Sequence, residues 1–249
     1  MDVAAYLARI AYAGAVRPDA KTLRDLHRAH LYSVPFENLD ISLGRQIRCE
    51  EARFLHKVVN LRRGGFCYEL NGAFAALLRA LGYRVSLLSA RVTREDGSAS
   101  PEFDHLALLV ELDEPWLADV GFGDSFLEPL RPKKESEQEQ PGGPFRIVPE
   151  GNVMMVQRRL ADQNWKTLYQ FTLKPHALGD FEPRCQWQQT SPDSHFVQQR
   201  ICTRATPEGR ITLSELKLIR TTHGKREERM LANQDEWHAA LVEHFGVRL

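Results

Sequence analysis

The chain has 249 residues, enough for one large domain or two to three small ones and for a sizeable buried core. Its 33 basic and 33 acidic residues balance, so the charge favours neither nucleic acid nor an anionic membrane surface as a partner. Hydrophobic residues make up 43% of the chain but form no run as long as the ~18 residues of a membrane span, which is typical of a soluble globular protein.

The amino-terminal segment and the cysteines indicate the compartment. An acidic residue at position 2, with no basic region ahead of an apolar stretch, argues against a secretory signal. The four cysteines, Cys49, Cys67, Cys185 and Cys202, are widely spaced and include no CxxC pair, which argues against a disulfide scaffold and a zinc ribbon. We therefore expect a reducing compartment, the cytosol, and no bound metal.

The first third of the chain is predicted to be helical. Apolar residues at 23, 26 and 31 fit one face of a helix over 21–31, which Pro35 limits. A second helix is expected over about 50–62. A third helix is expected to begin near Cys67 and to stop at Gly82.

From Tyr83 the pattern changes to short runs of branched and aromatic residues separated by turn signals. These runs predict an antiparallel meander, rolled into a small barrel, over 83–93, 103–112, 116–122, 145–148, 153–159 and 165–173. The charged stretch Arg131–Gln140 is expected to be a surface loop without regular structure. Farther along, strands over 196–204 and 210–219 flank a turn at 207–209, and a helix is expected over about 234–245.

Cys67 is the first candidate functional residue, because it lies between a glycine pair and an apolar helical stretch in the run RGGFCYELN over 63–71. A thiol is a weak nucleophile at neutral pH until its pKa is lowered. The first turn of a helix brings backbone N–H groups and the positive end of the helix dipole close to the sulfur, and a histidine partner adds to the effect. Without such partners, a small buried side chain at a helix start is the better interpretation.

Two downstream runs supply residues of the type that activate a thiol. His105 lies in a β-prone run over 103–110, and Asp119 lies in a run over 116–123 that ends in glycines. The histidine would take the thiol proton, and the carboxylate would hold the imidazole in the required tautomer. Burying either residue alone in an apolar strand is unfavourable, whereas pairing them removes that cost. Taken alone, His105 could be a hydrogen-bonded histidine of the core, and Asp119 could be an acid that caps a turn.

The register of the expected hairpin indicates where these two side chains lie. If the strands reverse at the turn signal over 113–115, Asp119 is opposite Leu109, on the sheet face that also carries His105. A reversal centred on Leu112 would place Asp119 directly opposite His105. Both registers put the two side chains on the same face.

Two further histidines, His27 and His30, are three residues apart on the first long helix. This spacing would allow a shared metal, but Arg24 and Arg28 flank the pair and no third ligand is suggested. We expect a solvated helix face instead. Cys185 and Cys202 lack a glycine–helix context and are expected to be inert buried thiols.

Five separated motifs resemble those of the arylamine N-acetyltransferases. They are RGGFCYELNGAF over 63–74, PFENLD over 35–40, the strand that carries His105, ADVGFG over 118–123, and the late runs over 194–196 and 218–222. The resemblance covers nearly the whole chain and places Cys67, His105 and Asp119 on the family's Cys–His–Asp triad. It also implies a structural ion pair of Arg63 with Glu37 or Glu69.

The resemblance implies an α+β fold related to papain and the transglutaminases. Its parts would be an N-terminal helical bundle over 1–82 that carries the cysteine, a central antiparallel β-barrel over 83–183 that carries the histidine and the aspartate, and a C-terminal α/β lid over 184–249. The residue patterns alone predict the first two parts.

The implied activity is acetyl transfer from acetyl-CoA through an acetyl-Cys67 intermediate, in a ping-pong mechanism. The acceptor would be an arylamine or a hydrazine, or the oxygen of an N-hydroxyarylamine, and the chain would be a monomer or a homodimer. Phe122 and Gly123 follow the Asp119 strand directly, so we place them in the aromatic-substrate pocket. The alternative for Phe122 is a core aromatic residue at the end of the barrel.

Three other functions stay open at the level of sequence. A thioesterase or transglutaminase-like hydrolase would use the same triad, and an amide synthase of the same family would close a macrolactam ring. A non-catalytic binding module would carry Cys67 as an unreactive thiol. The acyl acceptor separates the enzymes, and selective alkylation of Cys67 at about pH 6 would exclude the binding module.

Overall fold

The computed structural model describes residues 1–133 and 136–249, and the N-terminal part is mostly helical. Its elements are α1 (Val3–Arg9), α2 (Ala20–Ser33), β1 (Phe36–Glu37), α3 (Leu39–Ser42), α4 (Glu51–Leu55), which continues as a π-helical turn over His56–Asn60, and α5 (Cys67–Ala80). Asp2 and Asp19 cap α1 and α2 by accepting hydrogen bonds from backbone N–H groups. The three helices expected here are confirmed as α2, α4 with its π-helical turn, and α5.

Helix α5 lies in the centre of the molecule, with almost all of its residues buried. The chain reaches it through two glycines, and a side chain at Gly64 would collide with the carbonyl group of Pro35. The start of α5 is fixed by Glu69, whose Oε2 accepts the N–H of Phe66 at 3.1 Å. Gly82, with a φ of +90°, follows its C-terminal end, as expected.

The middle of the chain forms a curled antiparallel sheet. Its strands are β2 (Arg84–Val92), β3 (His105–Glu111), β4 (Pro115–Ala118), β5 (Phe145–Glu150), β6 (Val153–Arg159) and β7 (Trp165–His176). They are arranged in the order β4-β3-β2-β7-β6-β5. The meander is confirmed, and the predicted barrel is a half-barrel, because its edge strands β4 and β5 do not pair with each other.

The segment between β4 and β5 explains the open side of the half-barrel. Leu130 pairs with Leu117 of β4, and Gln138 pairs with Phe145 of β5, so this irregular segment contacts both edges in place of further strands. The expectation of an unstructured surface loop over Arg131–Gln140 is therefore wrong at Gln138, which is buried. Residues 134 and 135 of that stretch lie outside the described residues.

The C-terminal part packs a second sheet against a helix. After a 3₁₀ turn over Leu178–Phe181 come α6 (Glu182–Thr190), α7 (His195–Gln198), β8 (Ile201–Thr206), β9 (Gly209–Ser214), β10 (Lys217–Thr222), β11 (Lys225–Met230) and α8 (Gln234–Phe245). The expected strand over 210–219 is in fact two strands, because the chain reverses at Glu215, whose φ is +46°. A glutamate is an unusual residue for this left-handed conformation, so the turn carries no sequence signal.

Three buried apolar clusters hold these parts together. The first packs α5 against one face of the half-barrel, the second fills its concave side, and the third lies between the C-terminal sheet and α8. In β3 the residues alternate between the first two clusters. Cys185 of α6 belongs to the first cluster and β1 pairs with β8, so contacts cross the proposed boundaries at 82/83 and 183/184, which stay predictions. Over 1–133 and 136–249, no helix is long and apolar enough to cross a membrane.

Candidate active site

Cys67 is the first residue of α5, and its side chain is buried with 4% of the residue exposed. The sulfur is 4.0 Å from the carbonyl oxygen of Asp104, just before β3. The N–H groups of a first helical turn have no partners within the helix, and they face the region of the sulfur. The expected glycine–cysteine–helix arrangement is therefore present.

His105 and Asp119 lie next to this helix start and contact each other. The distance from His105 Nε2 to Asp119 Oδ2 is 2.7 Å, and both residues are almost fully buried. Because Nε2 faces the carboxylate, Nδ1 is the ring nitrogen left for Cys67, which lies close enough to His105 to raise the pKa of the imidazole. The structure therefore brings the three predicted residues together.

The hairpin that carries the pair has a register between the two that were considered. Leu108 is opposite Ala118, and Glu111 is opposite Pro115, so the reversal is centred on Asp113. Both predicted registers are wrong by two residues. A shift of two residues leaves every side chain on its own face, which is why the prediction that His105 and Asp119 share a face is nevertheless confirmed.

Strand β4 ends at Ala118, four residues earlier than expected, because side chains take up the backbone groups that follow. The N–H of Asp119 donates to His27 Nε2 at 3.0 Å, and the N–H of Val120 donates to Asn71 Oδ1 at 2.9 Å. Asn71 Nδ2 also donates to Asp119 Oδ1 at 2.9 Å and to the carbonyl oxygen of Leu106 at 2.6 Å. Asn71 thus connects α5, β3 and the aspartate segment.

Asn71 was not among the predicted site residues, although the sequence carries a signal for it. On a helix that starts at Cys67, the residue four positions later lies on the same face, so spacing alone could have placed Asn71 next to the thiol. A fully buried amide with all these partners is a positioning group for the aspartate.

The expectation for His27 and His30 is wrong, since both are fully buried in the core. They lie four and seven residues after Leu23, on the apolar face of α2, so helical spacing was the better guide than the neighbouring arginines. His27 Nδ1 is 2.9 Å from the carbonyl oxygen of Leu127. Since Nε2 accepts the Asp119 N–H, Nδ1 carries the proton and the ring is neutral.

The neutral state of His27 predicts a pH-dependent stability. Burial lowers the pKa of His27 from 6.5 to about 4. Between these values the unfolded chain binds a proton that the folded chain does not, so the free energy of unfolding falls as the pH falls from 6.5 to 4. His27 accounts for a loss of about 3 kcal/mol over this range. Urea unfolding of wild type and His27→Gln at several pH values between 6.5 and 4 measures this loss. The free energy of unfolding should depend less steeply on pH in the variant.

An exposed histidine supplies the control for this experiment. His56→Gln alters a side chain at the surface of the π-helical turn and should leave the wild-type slope unchanged. Equal slopes for His27→Gln and wild type would contradict the assignment of the neutral ring.

Burial and charge set the pKa values of His105 and Cys67. Burial alone lowers the pKa of His105, but the carboxylate of Asp119, together with Cys67, raises it to about 10. Burial raises the pKa of the Cys67 thiol above its ordinary value, and the neighbouring His105 offsets only part of that rise. Because Asp119 favours the protonated imidazole, removal of the thiol proton would leave a thiolate beside an imidazolium.

A buried ionic cluster supports the start of α5. Lys57 Nζ lies 2.8 Å from Glu69 Oε1 and 2.7 Å from Asp40 Oδ2. Arg63 donates to Glu37 at 3.0 Å and to Asp40 at 2.7 Å. The expected pairing of Arg63 with Glu37 is confirmed, while Glu69 pairs with Lys57 instead. Because Glu69 also accepts the Phe66 N–H, this cluster fixes the backbone next to Cys67.

Of the two residues predicted to contact the substrate, Phe122 lies beside His105, and Gly123 lies beside Phe36. The Phe122 ring is half-buried and meets the His105 imidazole edge to face, with 5.3 Å between ring centroids, and also contacts Tyr169. Gly123 has a φ of +91° and faces the ring of Phe36. At Gly121, a side chain would lie 2.8 Å from the Cα of Cys67, so only glycine lets this segment approach the start of α5.

The chain is similar to known proteins over nearly its whole length. Residues 19–249 match a family model described as N-acetyltransferase. The chain is 37% identical to an arylamine N-acetyltransferase of Escherichia coli, over 97% of this chain and 87% of that protein. It is 36% identical to an arylamine N-acetyltransferase / N-hydroxyarylamine O-acetyltransferase of Salmonella typhimurium, over 92% of this chain and 83% of that one.

A solved structure has the same fold. The arylamine N-acetyltransferase of Mycobacterium marinum in complex with CoA superimposes with a TM-score of 0.92 at 31% identity, covering 99% of this chain and 93% of that one. The family model and the full-length relatives together show that the chain belongs to the arylamine N-acetyltransferase family.

Proposed function

We propose that the protein transfers the acetyl group of acetyl-CoA to an arylamine or a hydrazine through an acetyl-Cys67 intermediate. The observation that carries the proposal is the position of Cys67 at the start of α5, beside an imidazole whose other nitrogen is 2.7 Å from Asp119. This is the arrangement of a cysteine, a base and an orienting carboxylate that thiol acyltransfer needs.

In the first half-reaction the Cys67 thiolate attacks the carbonyl carbon of the thioester. The backbone N–H of Cys67, at the positive end of α5, stabilises the oxyanion. When the intermediate collapses, the bond from the carbonyl carbon to the CoA sulfur breaks, and the His105 imidazolium gives its proton to that sulfur. One thioester replaces another, so the acetyl-enzyme forms without a large change in free energy.

In the second half-reaction the neutral His105 acts as the base. The amine nitrogen attacks the acetyl carbonyl, His105 takes the proton from that nitrogen, and the Cys67 thiolate leaves. The product is an amide, and the thiolate–imidazolium pair is restored. Asp119 keeps its charge throughout and holds the ring in place.

The acceptor and donor are proposed from the surroundings of the triad and from the relatives. The edge-to-face contact of Phe122 with His105 supports an aromatic ring beside the acetyl group, with Gly123 leaving space next to Phe36. The Mycobacterium marinum relative binds CoA, which supports acetyl-CoA as the donor. The name of the Salmonella relative supports O-acetylation of N-hydroxyarylamines as a further reaction.

Mass spectrometry of the intact protein, after brief mixing with acetyl-CoA, tests the proposal. We expect an adduct with the mass of one acetyl group, mapped to Cys67, and release of about one equivalent of CoA before turnover stalls. Addition of an arylamine should remove the adduct. Cys67→Ala should form none, whereas Cys202→Ala, which removes a buried thiol in the C-terminal cluster, should react as wild type does.

The same experiment separates the alternative functions. Continued CoA release without an amine would indicate a thioesterase. An adduct that no simple arylamine or hydrazine removes would favour an amide synthase. The absence of any adduct on the wild-type protein would contradict the proposal.

A further inference from the structure

A second ion pair borders the nucleophile. Asp104 directly precedes His105, and its carbonyl oxygen is 4.0 Å from Cys67 Sγ. The Asp104 carboxylate accepts hydrogen bonds on Oδ1 from Arg184 Nε at 2.6 Å and from Gln188 Nε2 at 2.7 Å. The side chains of Asp104 and Arg184 are only 10% and 16% exposed. Helix α6 is thus joined to the residue that directly precedes His105 and whose carbonyl oxygen faces the Cys67 thiol.

Both donors to Asp104 are oriented by further contacts. The Arg184 guanidinium stacks on Trp187, with its carbon 3.7 Å from the ring centroid. Gln188 Oε1 accepts a hydrogen bond from Ser194 Oγ at 2.8 Å. These contacts fix the side chains of Arg184 and Gln188 with their N–H groups directed at the Asp104 carboxylate. The two side chains therefore lose little conformational entropy in binding it.

The backbone before Asp104 is strained and held in place. Phe103 has a φ of +64°, a conformation that an aromatic residue rarely adopts. Its carbonyl oxygen accepts the Tyr68 hydroxyl at 2.8 Å, and its N–H donates to Ser89 Oγ at 2.7 Å. The ion pair with Arg184 is the charged part of this anchor and bears directly on the position of His105.

Charge gives Arg184 a second effect on the thiol. Among the titratable groups around the sulfur, Asp104 raises the pKa of Cys67 by its charge, whereas His105 lowers it. Arg184 is positioned to offset the charge of Asp104 at 2.6 Å. The titratable groups near the sulfur are Tyr68 of α5, Asp104, His105 of β3, with Asp119 behind it, Cys185 of α6, and Cys49 beside Cys185.

We propose that Arg184 is a positioning residue for acetyl transfer, which holds Asp104 and offsets its charge so that the Cys67 thiolate does not face an uncompensated carboxylate. The inference rests on the proposed function, in which Cys67 is the nucleophile. It assigns to α6 a role in catalysis without any contact of Arg184 with the substrate.

The pH dependence of Cys67 alkylation tests this inference without using the acetyl reaction. Iodoacetamide labelling of Cys67, quantified by peptide mass spectrometry, measures the thiolate fraction. In Arg184→Met the inflection should move up by about half to one pH unit, so that alkylation below it becomes about three to ten times slower. Arg184→Lys, which keeps the charge, should recover most of the wild-type profile.

Removing the carboxylate distinguishes charge from packing. Asp104→Asn alone should move the inflection down, and the Asp104→Asn/Arg184→Met double variant should return to the wild-type position or below it. A double variant that stays shifted like Arg184→Met would show that Arg184 acts by packing alone. An unshifted Arg184→Met profile would equally overturn the inference.

Arg200 provides a matched control. It also pairs with a carboxylate, Glu215 at 3.0 Å, and stacks on a tryptophan, Trp237 at 4.6 Å, but in the C-terminal part of the chain. Arg200→Met should leave the alkylation profile unchanged. If the profiles shift as expected while acetyl-CoA forms no adduct, the charge effect of Arg184 on Cys67 stands, but its role in acetyl transfer fails with the proposed function. If the adduct forms while the Arg184→Met profile does not shift, the inference fails and the proposed function stands.

Discussion

Asp119→Asn is expected to slow formation of the acetyl-enzyme by about 10³- to 10⁴-fold. The carboxylate receives three hydrogen bonds, from His105 on Oδ2 and from Asn71 and the Gly121 N–H on Oδ1. An amide has one oxygen, so its NH₂ group must face at least one of these donors. Facing His105, it would drive the ring proton to the nitrogen beside Cys67 and remove the positive charge that pairs with the thiolate. Rapid mixing with acetyl-CoA, followed by mass spectrometry, measures the rate.

A second histidine–aspartate pair in the same chain is the control for Asp119→Asn. His176 Nδ1 is 3.7 Å from Asp180 Oδ2, but the Asp180 side chain is 50% exposed. Asp180→Asn should leave the acetylation rate within about twofold of wild type. Alkylation of Cys67 at neutral pH should slow in Asp119→Asn and not in Asp180→Asn. An Asp119→Asn protein that is acetylated at the wild-type rate would show that the imidazole needs no carboxylate.

The elements that could be predicted are those whose signals are local. The helix start at Cys67 follows from two glycines and an apolar run, and the shared face of His105 and Asp119 follows from the two-residue period of a strand. An error of two residues in the register does not change which face of the sheet a side chain lies on. The family motifs extended these local signals to nearly the whole chain.

The rest depended on contacts between distant segments, which spacing does not reveal. Strand β4 ends at Ala118 because His27, far away in sequence, takes the N–H of Asp119. The half-barrel stays open because an irregular segment pairs with both of its edges. The Asp104–Arg184 pair joins two segments whose residues, taken separately, are an ordinary strand-flanking acid and a helical arginine. Such partners become visible only when the fold has brought them together.

Arg63→Met is expected to lower the free energy of unfolding by about 3–5 kcal/mol. Arg63 is 3% exposed, and its removal leaves the carboxylates of Glu37, Asp40 and Glu69 with Lys57 as their buried cationic partner, since Arg45, 3.6 Å from Asp40, is 54% exposed. Burial alone would lower the pKa of Lys57, and the three carboxylates raise it instead, so the lysine stays charged but cannot balance all of them. Urea unfolding at neutral pH measures the change.

The large effect is due to burial of the ion pair and not to its short distance. An exposed ion pair of the same length at α4 distinguishes burial from distance. The nitrogen–oxygen distance is 2.7 Å both in the Arg53–Glu50 pair and in the Arg63–Asp40 pair. The side chains of Arg53 and Glu50, however, are 57% and 50% exposed. Arg53→Met should therefore cost at most about 1 kcal/mol. Glu69 connects the cluster to the Phe66 N–H, next to Cys67. In the folded fraction of Arg63→Met, iodoacetamide should therefore alkylate Cys67 more slowly than in Arg53→Met. Equal losses of stability in the two variants would mean that Arg63 is solvated in solution, and the cluster could then no longer explain how the start of α5 is held.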